Sequence, residues 1–273
     1  MCDVAQHMPT RPDAAAPASP SDREVAEEAV RAAGAVVRGG LGQTIVAEAK
    51  TSATDPVTAI DRAAEAAAVA VLARHRPADA RLGEETGAAA GTSGRRWTVD
   101  ALDGTLNFVS GLPLCCCAVG LHDGAGGVAA AILDPVRQEL FSGARGEGTW
   151  RSEGSGPADA APGGGRTPDL AGAVVATYLD GRDAAALDGV RAVLATGAQV
   201  RILGSGSLEL AWVAAGRIDA WIQTGTAPWD WVPGALLVNE AGGVAAALGD
   251  EASWHVAASS PDLHAQIARV LAG

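Results

Sequence analysis

Apolar positions recur along this chain with two different periods, and the switches between them mark out its elements. From residue 21 the spacing is helical. Val25, Ala29, Val30, Ala33, Val36 and Val37 fall on one face, and Ser21 with Glu24 three residues on forms the signature of a capping box. Gly39 and Gly40 end that helix. A second helix is predicted from Thr58, where Thr58 and Asp61 repeat the cap spacing. Its Ala- and Val-rich run reaches Arg76 before Pro77 stops it. The pattern then turns strand-like at residues 97–99, 114–121 and 127–133, with His122-Asp123-Gly124 as a hairpin turn between the last two. Residues 143–168, rich in Gly, Pro and Ser, read as a surface loop between strand-bearing regions. Thereafter strands at 173–178, 199–203, 218–223 and 254–257 alternate with helices at 183–195, 205–215, 229–241 and 261–271. Such alternation predicts a mixed α/β (α+β) fold. No internal repeat of fixed period is present. Residues 1–20, with four prolines among alanines, read as a disordered or loosely packed arm.

Composition narrows the functional classes. A chain of 273 residues that is 48% hydrophobic can bury a large core, as one domain from 21 to 273 or as two closely packed lobes, roughly 21–168 and 169–273. Its net charge of −12 offers no field for a nucleic-acid backbone or an anionic membrane. An acidic protein that handles an anionic phosphate needs local cations, so metal ions are plausible before any motif is read. No stretch has the length and apolarity of a transmembrane helix, and residues 1–20 lack a basic start followed by an apolar run, so a soluble cytoplasmic protein is expected. The cysteines are Cys2, Cys115, Cys116 and Cys117. Three consecutive thiols fit neither a zinc-finger spacing nor a disulfide framework, and they read as small buried residues of an apolar strand.

Candidate chemistry concentrates in residues 97–108, WTVDALDGTLNF. An apolar strand should end in Asp100, turn through Leu102, and offer Asp103, Gly104 and Thr105 at a helix start. Two carboxylates so close repel unless a cation lies between them. Magnesium suits hard oxygen ligands, and N–H groups near Gly104 and Thr105 could receive an anion. Taken alone, the motif could equally be an acidic cap beside a turn glycine. Gly83-Glu84-Glu85 adds adjacent carboxylates at a turn, and Trp229-Asp230 opens a helix that ends at Asn239-Glu240-Ala241-Gly242-Gly243. Each in isolation has an ordinary structural reading; together they favour a site.

Residues 50–61 (KTSATDPVTAID), Gly83-Glu84-Glu85, residues 97–108, residues 204–219 (GSGSLELAWVAAGRID) and residues 229–243 (WDWVPGALLVNEAGG) occur in the order found in the inositol monophosphatase family, which the chain resembles over nearly its whole length after residue 20. The resemblance implies a layered α-β-α-β-α sandwich, usually a homodimer. It also implies a magnesium-dependent, lithium-sensitive phosphatase of small phosphorylated metabolites. Glu84, Asp100 and the Leu102 carbonyl would hold one Mg2+, and Asp100, Asp103 and Asp230 a second. A third, weaker ion would sit near Glu84 through waters. Thr105 and Asp61 would position the nucleophilic water, Gly104 and Thr105 would meet phosphate, and Gly206 and Gln223 would face the alcohol. Glu85 would support the site indirectly, and Lys50 matches a family lysine near the outer metal. The implied reaction is in-line attack by activated water without a covalent enzyme intermediate.

Two positions depart from the family pattern. Ala101 stands where proline is usual, which loosens a turn but removes no ligand. Gln223 stands seven residues before Asp230, where inositol-acting members often carry glutamate, and a neutral amide can donate as well as accept. Asn107-Phe108 fits the inositol branch better than the histidinol-phosphate or adenosine-bisphosphate branches. The substrate expected is therefore an inositol, cyclitol or sugar monophosphate. The alternatives are histidinol phosphate, adenosine 3',5'-bisphosphate or fructose 1,6-bisphosphate, and a regulatory protein that keeps the fold without catalysis.

Overall fold

The computed structural model describes residues 19–43, 47–49, 56–154, 156–161, 163, 169–179, 183–249 and 254–273. The order of elements is α1 (Asp22–Gly40), β1 (Ala47–Ala49), β2 (Pro56–Thr58), α2 (Ala59–His75), β3 (Ala80–Gly83), β4 (Gly87–Ala89), β5 (Arg96–Asp103), α3 (Thr105–Val109), β6 (Cys116–Asp123), β7 (Gly126–Asp134), β8 (Glu139–Ala144), β9 (Gly148–Glu153), β10 (Asp159–Ala160), β11 (Val174–Thr177), α4 (Ala184–Ala195), β12 (Gln199–Arg201), α5 (Gly206–Ala214), β13 (Ala220–Thr224), α6 (Pro228–Glu240), β14 (Val244–Leu248), β15 (Trp254–Ala258) and α7 (Pro261–Leu271). Lys50 and most of the first 20 residues lie outside the described residues. Pro20, the last residue of the expected arm, is held through its carbonyl, which accepts from Arg76 at 2.6 Å.

Both predicted caps form. Ser21 and Glu24 exchange the two bonds of a capping box at α1, and Thr58 and Asp61 do the same at α2, each cap contributing about 1 kcal/mol.

Side-chain alternation sorts the strands into layers. On β6, Cys117, Val119 and Leu121 join the core under α1 and α2, while Cys116 and Ala118 join the core beneath α5 and α6. Strand β7 follows suit, with Ala129, Ala131 and Leu133 on the first side and Ala130 and Ile132 on the second. The large sheet has the order β10-β9-β8-β7-β6-β5-β3-β4 and the small one β12-β11-β13-β15-β14. On β13, Trp221 faces α5 and α6, whereas Ala220 and Ile222 pack with residues of α4 and α7. Helices α1 and α2, the large sheet, α5 with α6, the small sheet, and α4 with α7 thus make the five layers of an α-β-α-β-α sandwich. Among the described residues no helix is long and apolar enough to cross a membrane.

The loop expected over 143–168 is corrected. β8 runs to Ala144, and β9 and β10 extend the large sheet antiparallel from it. Here the strand signal is hidden by glycines: Gly146 and Gly148 take φ of 78° to turn the hairpin. The hairpin is tied down by polar contacts. Arg151 pairs with Glu139, and the Thr149 hydroxyl donates to the Leu237 carbonyl at 2.7 Å. The segment 80–83 is a strand parallel to β5, and β14, absent from the sequence reading, pairs with β15 at the sheet edge. The cysteine reading holds: Cys115, Cys116 and Cys117 are free and buried. Burial pushes all three thiols up, Cys115 to about 12.

Candidate active site

The strand that carries the acidic motif does not stop at Asp100. Its pairing with β6 continues, Asp100 opposite Ala118 and Asp103 opposite Cys116, so three steps on β5 match two on β6. The extra residue is a β-bulge. In a regular strand, residues three apart face opposite sides. The bulge restores parity: Val99, Ala101 and Leu102 all enter the core beneath α1 and α2, and Asp100 and Asp103 both turn the other way. Gly104 follows with φ of 93°, and a side chain there would meet the Leu114 carbonyl at 2.8 Å. Glycine is therefore required for the chain to turn into α3.

These acids open into a cleft of about 260 Å³. Glu84, Asp100, Leu102, Asp103, Gly104, Thr105, Gly206, Gln223 and Asp230 all line it, joined by Leu106, Asn107, Tyr178 and Glu209. Four separate segments thus bring the carboxylates together: the end of the β3 turn, the β5 bulge, and the first turn of α6, where an acid suits the helix dipole, with Glu209 on α5 behind. Asp61 lies behind Thr105 rather than on the cleft wall. Glu85 follows Glu84 on the same turn.

The electrostatics record the crowding. Burial, then the charges of Glu84, Asp103 and Asp230, hold the Asp100 carboxyl well above the usual range, against a hydrogen bond from Leu102 N–H. Burial also raises Asp103, opposed by donors from Ser207, Ser205, Cys116 and Gly206. The donors to Asp103 converge on one oxygen: Ser207 N at 2.7 Å, Ser205 Oγ at 3.0 Å and Cys116 Sγ at 3.7 Å all reach Oδ2. Leu102 N likewise takes Oδ1 of Asp100 at 3.0 Å. One oxygen of each acid is thereby held by hydrogen bonds.

Thr105 connects this wall to α2. Its hydroxyl lies 2.7 Å from Asp61 Oδ1 and 3.0 Å from the Leu102 carbonyl. Asp61 Oδ2 meanwhile accepts from Thr58 N at 2.8 Å and from the Thr58 hydroxyl. Asp61 is at once the third residue of a capping box and the partner of Thr105, so its two readings are compatible. Asn107 staples the opposite rim, its Nδ2 donating to the carbonyls of Leu114 at 2.8 Å and Leu203 at 2.7 Å.

Two buried acids beside the cleft escaped the sequence reading. Glu65, 1% exposed, accepts from Glu85 N, Thr86 N and the Thr86 hydroxyl. Glu209, 1% exposed, accepts from Leu203 N at 3.1 Å and Trp221 Nε1 at 3.0 Å. Burial, then the charge of Asp103, pushes Glu209 up to about 8, and its hydrogen bonds only partly oppose this. A signal for Glu209 was available: it is the only charged residue in the apolar run of α5.

The donor set is one of hard oxygens, carboxylates with a backbone carbonyl, which fits a divalent cation such as Mg2+. Among the described residues no group of three or more His, Cys, Asp or Glu side chains is arranged to hold a metal ion as it stands. The fit therefore rests on the mutual repulsion at Asp100 and on the chemistry of the donors.

A model of the inositol monophosphatase family matches residues 21–272. The chain belongs to the inositol monophosphatase family. Membership assigns it, at the level of the family, hydrolase chemistry on small phosphate esters and the fold of the magnesium-dependent, lithium-sensitive phosphatases. Within the family it is 36% identical over 234 residues to the Nus factor SuhB of Pseudomonas aeruginosa, covering 81% of this chain and 83% of that one. It is 34% identical over 249 residues to inositol monophosphatase 1 of Solanum lycopersicum, covering 88% and 90%. The crystal structure of the extragenic suppressor protein suhB from Bartonella henselae superposes with a TM-score of 0.83 at 29% identity, covering 91% of this chain and 97% of the other.

Proposed function

We propose that this inositol monophosphatase family member is a magnesium-dependent phosphomonoesterase of a small polyol phosphate: an inositol, cyclitol or sugar monophosphate. The observation that carries the reading is Asp100, buried and raised by three neighbouring acids in one cleft. A non-catalytic protein gains nothing from that repulsion, whereas a cation turns it into binding. Glu84, Asp100, the Leu102 carbonyl, Asp103 and Asp230 would hold two Mg2+, with Asp100 shared and a third ion near Glu84. Bound there, the ions would supply Lewis acidity toward phosphate and a water of lowered pKa.

The remaining steps belong to the chain. The Thr105 hydroxyl donates a hydrogen bond to Asp61 Oδ1, which leaves the lone pairs of its oxygen to accept from a water in the cleft and to orient it. Glu84, beside the same wall, is the third catalytic group of this reading. Gly104 and Thr105 present N–H groups to the phosphate where α3 begins. Gly206 and Gln223 both line the cleft, where a Cβ on Gly206 would lie at ordinary contact distance, 3.9 Å, from Gln223 Oε1, and in this reading the pair faces the alcohol. Gln223 thus faces Gly206 across the leaving-group side and can bond one hydroxyl. In the same reading the protein works in the cytoplasm as a homodimer on a small metabolite, without nucleic acid or membrane.

Phosphate release from a panel of polyol and sugar monophosphates tests this. Release should require Mg2+ and stop reversibly on chelation, and Asp100→Asn should nearly abolish it with the fold intact. Near-native turnover in Asp100→Asn would remove the two-metal assignment.

A further inference from the structure

Glu84 is the one cleft carboxylate carried by a hairpin turn, between β3 and β4 where Gly83 pairs with Gly87, rather than by a strand bulge or a helix. Its backbone is nevertheless pinned on both sides. Ahead of it, Glu84 N donates to the Val99 carbonyl of β5 at 3.1 Å. Behind it, the peptide that leaves Glu84 carries Glu85 N, which donates to Glu65 Oε2 at 2.9 Å. Glu65 Oε1 accepts from Thr86 N at 2.8 Å and from the Thr86 hydroxyl at 2.5 Å. The first bond fixes the approach to Glu84, and the second fixes the rotation that follows it.

The fit of Glu65 to this turn is close. A side chain on Gly83 would lie 2.0 Å from Glu65 Oε1, so the turn can reach Glu65 only because residue 83 is glycine. Glu65 stands four residues after Asp61 on α2, and residues four apart share a helix face. One face of α2 therefore governs both the Asp61–Thr105 pair and the turn of Glu84. A buried carboxylate is costly unless donors surround it, and a turn that needed only shape could be packed by an apolar residue. Here the donors are the N–H groups that set the direction of Glu84.

We propose that Glu65, with Thr86, is a positioning residue for Glu84, and that this clamp sets the affinity with which the cleft takes its divalent cation. The inference rests on the magnesium reading above. The clamp holds the Glu84 carboxylate turned into the cleft before a cation arrives; without it the side chain and its peptide must be ordered at the moment of binding.

The test is Mg2+ binding to the full chain by calorimetry, alongside the Mg2+-induced rise in melting temperature, for the native protein, Glu65→Gln, Thr86→Val, Thr86→Ser and Glu84→Gln. Glu65→Gln keeps the shape but sets an amide NH2 against N–H donors. It should weaken Mg2+ binding by about tenfold to a hundredfold, as loss of a partner behind a ligand does. Thr86→Val should weaken it less, and Thr86→Ser should restore it. In a Glu84→Gln background, Glu65→Gln should have no further effect on binding. Should Glu65→Gln fold poorly, the Val and Ser variants of Thr86 carry the same contrast. Native-like Mg2+ affinity in Glu65→Gln and Thr86→Val, with only lowered melting temperatures, would overturn the clamp and leave the magnesium reading standing. Absence of Mg2+ binding by the native protein would overturn both.

Discussion

Two turns close on the acidic cleft, and each is held from behind by a buried glutamate on a helix. Glu65 of α2 holds the turn of Glu84 through Glu85 and Thr86, while Glu209 of α5 holds the turn at residues 203–207 through Leu203 and Trp221. The difference lies in what each turn carries. The first presents a carboxylate. The second presents donors, Ser205 Oγ and Ser207 N, which fix one oxygen of Asp103, and it places Gly206 opposite Gln223. Burial, then the charge of Asp103, pushes Glu209 up to about 8. The same device thus stands behind two walls of the cleft, and in the function proposed above the first would serve a cation and the second an alcohol.

Between these two sides, the largest effect should come from Thr105, which belongs to the α2 side alone. Thr105→Ala removes the hydroxyl between Asp61 and the cleft but no ligand. Turnover should fall by about a hundredfold, the low end of what a positioned proton-handling group contributes, while Mg2+ affinity measured by calorimetry changes much less. An equal collapse of metal binding would mean that Thr105 supports the cation rather than the water.

Glu209 sharpens the other side. Its folded value is raised above the ordinary glutamate range, so the fold binds this proton more tightly than the unfolded chain does. The stabilisation is complete below the ordinary value near 4.5 and is lost as pH rises through about 8. Without divalent ions, the melting temperature should therefore fall between those values by more in the native protein than in Glu209→Gln. The corresponding difference in folding stability should be on the order of a few kcal/mol. Parallel melting curves in the two proteins would show that Glu209 does not hold its proton there. Mg2+ should shrink the difference by offsetting the charge of Asp103.

The smallest effect is one of ranking. Gln223→Glu restores the acid common in inositol-acting relatives, and it should reorder sugar and inositol monophosphates by several-fold, about 1 kcal/mol for one altered hydrogen bond. It should barely alter hydrolysis of an aryl phosphate that has no hydroxyl to read. An unchanged ranking would place Gln223 outside substrate recognition.

Much of this was legible in the sequence, and the gaps have physical causes. The caps of α1 and α2 could be read because they are local, three residues from donor to acceptor. The acids of β5 could be read as a pair, but not the bulge that turns them to the same side, since it depends on how β6 pairs with β5. The strands β9 and β10 were hidden by glycines that turn the hairpin without breaking the sheet. Glu65 and Glu209 were missed because their partners lie 20 and 6 residues away or further, on turns whose positions only the tertiary fold sets. For Glu209, an acid alone in an apolar helical run is the trace it leaves.

The three adjacent thiols have a consequence of their own. Cys115 and Cys117 lie beneath α1 and α2, Cys116 beneath α5 and α6, and none is within reach of solvent. Nature has thereby placed reporters on both faces of a single strand. Buried in the native protein, they should be silent to an alkylating reagent, and each should be labelled only when its own helical layer lifts away. The order in which they react records which side of the molecule opens first.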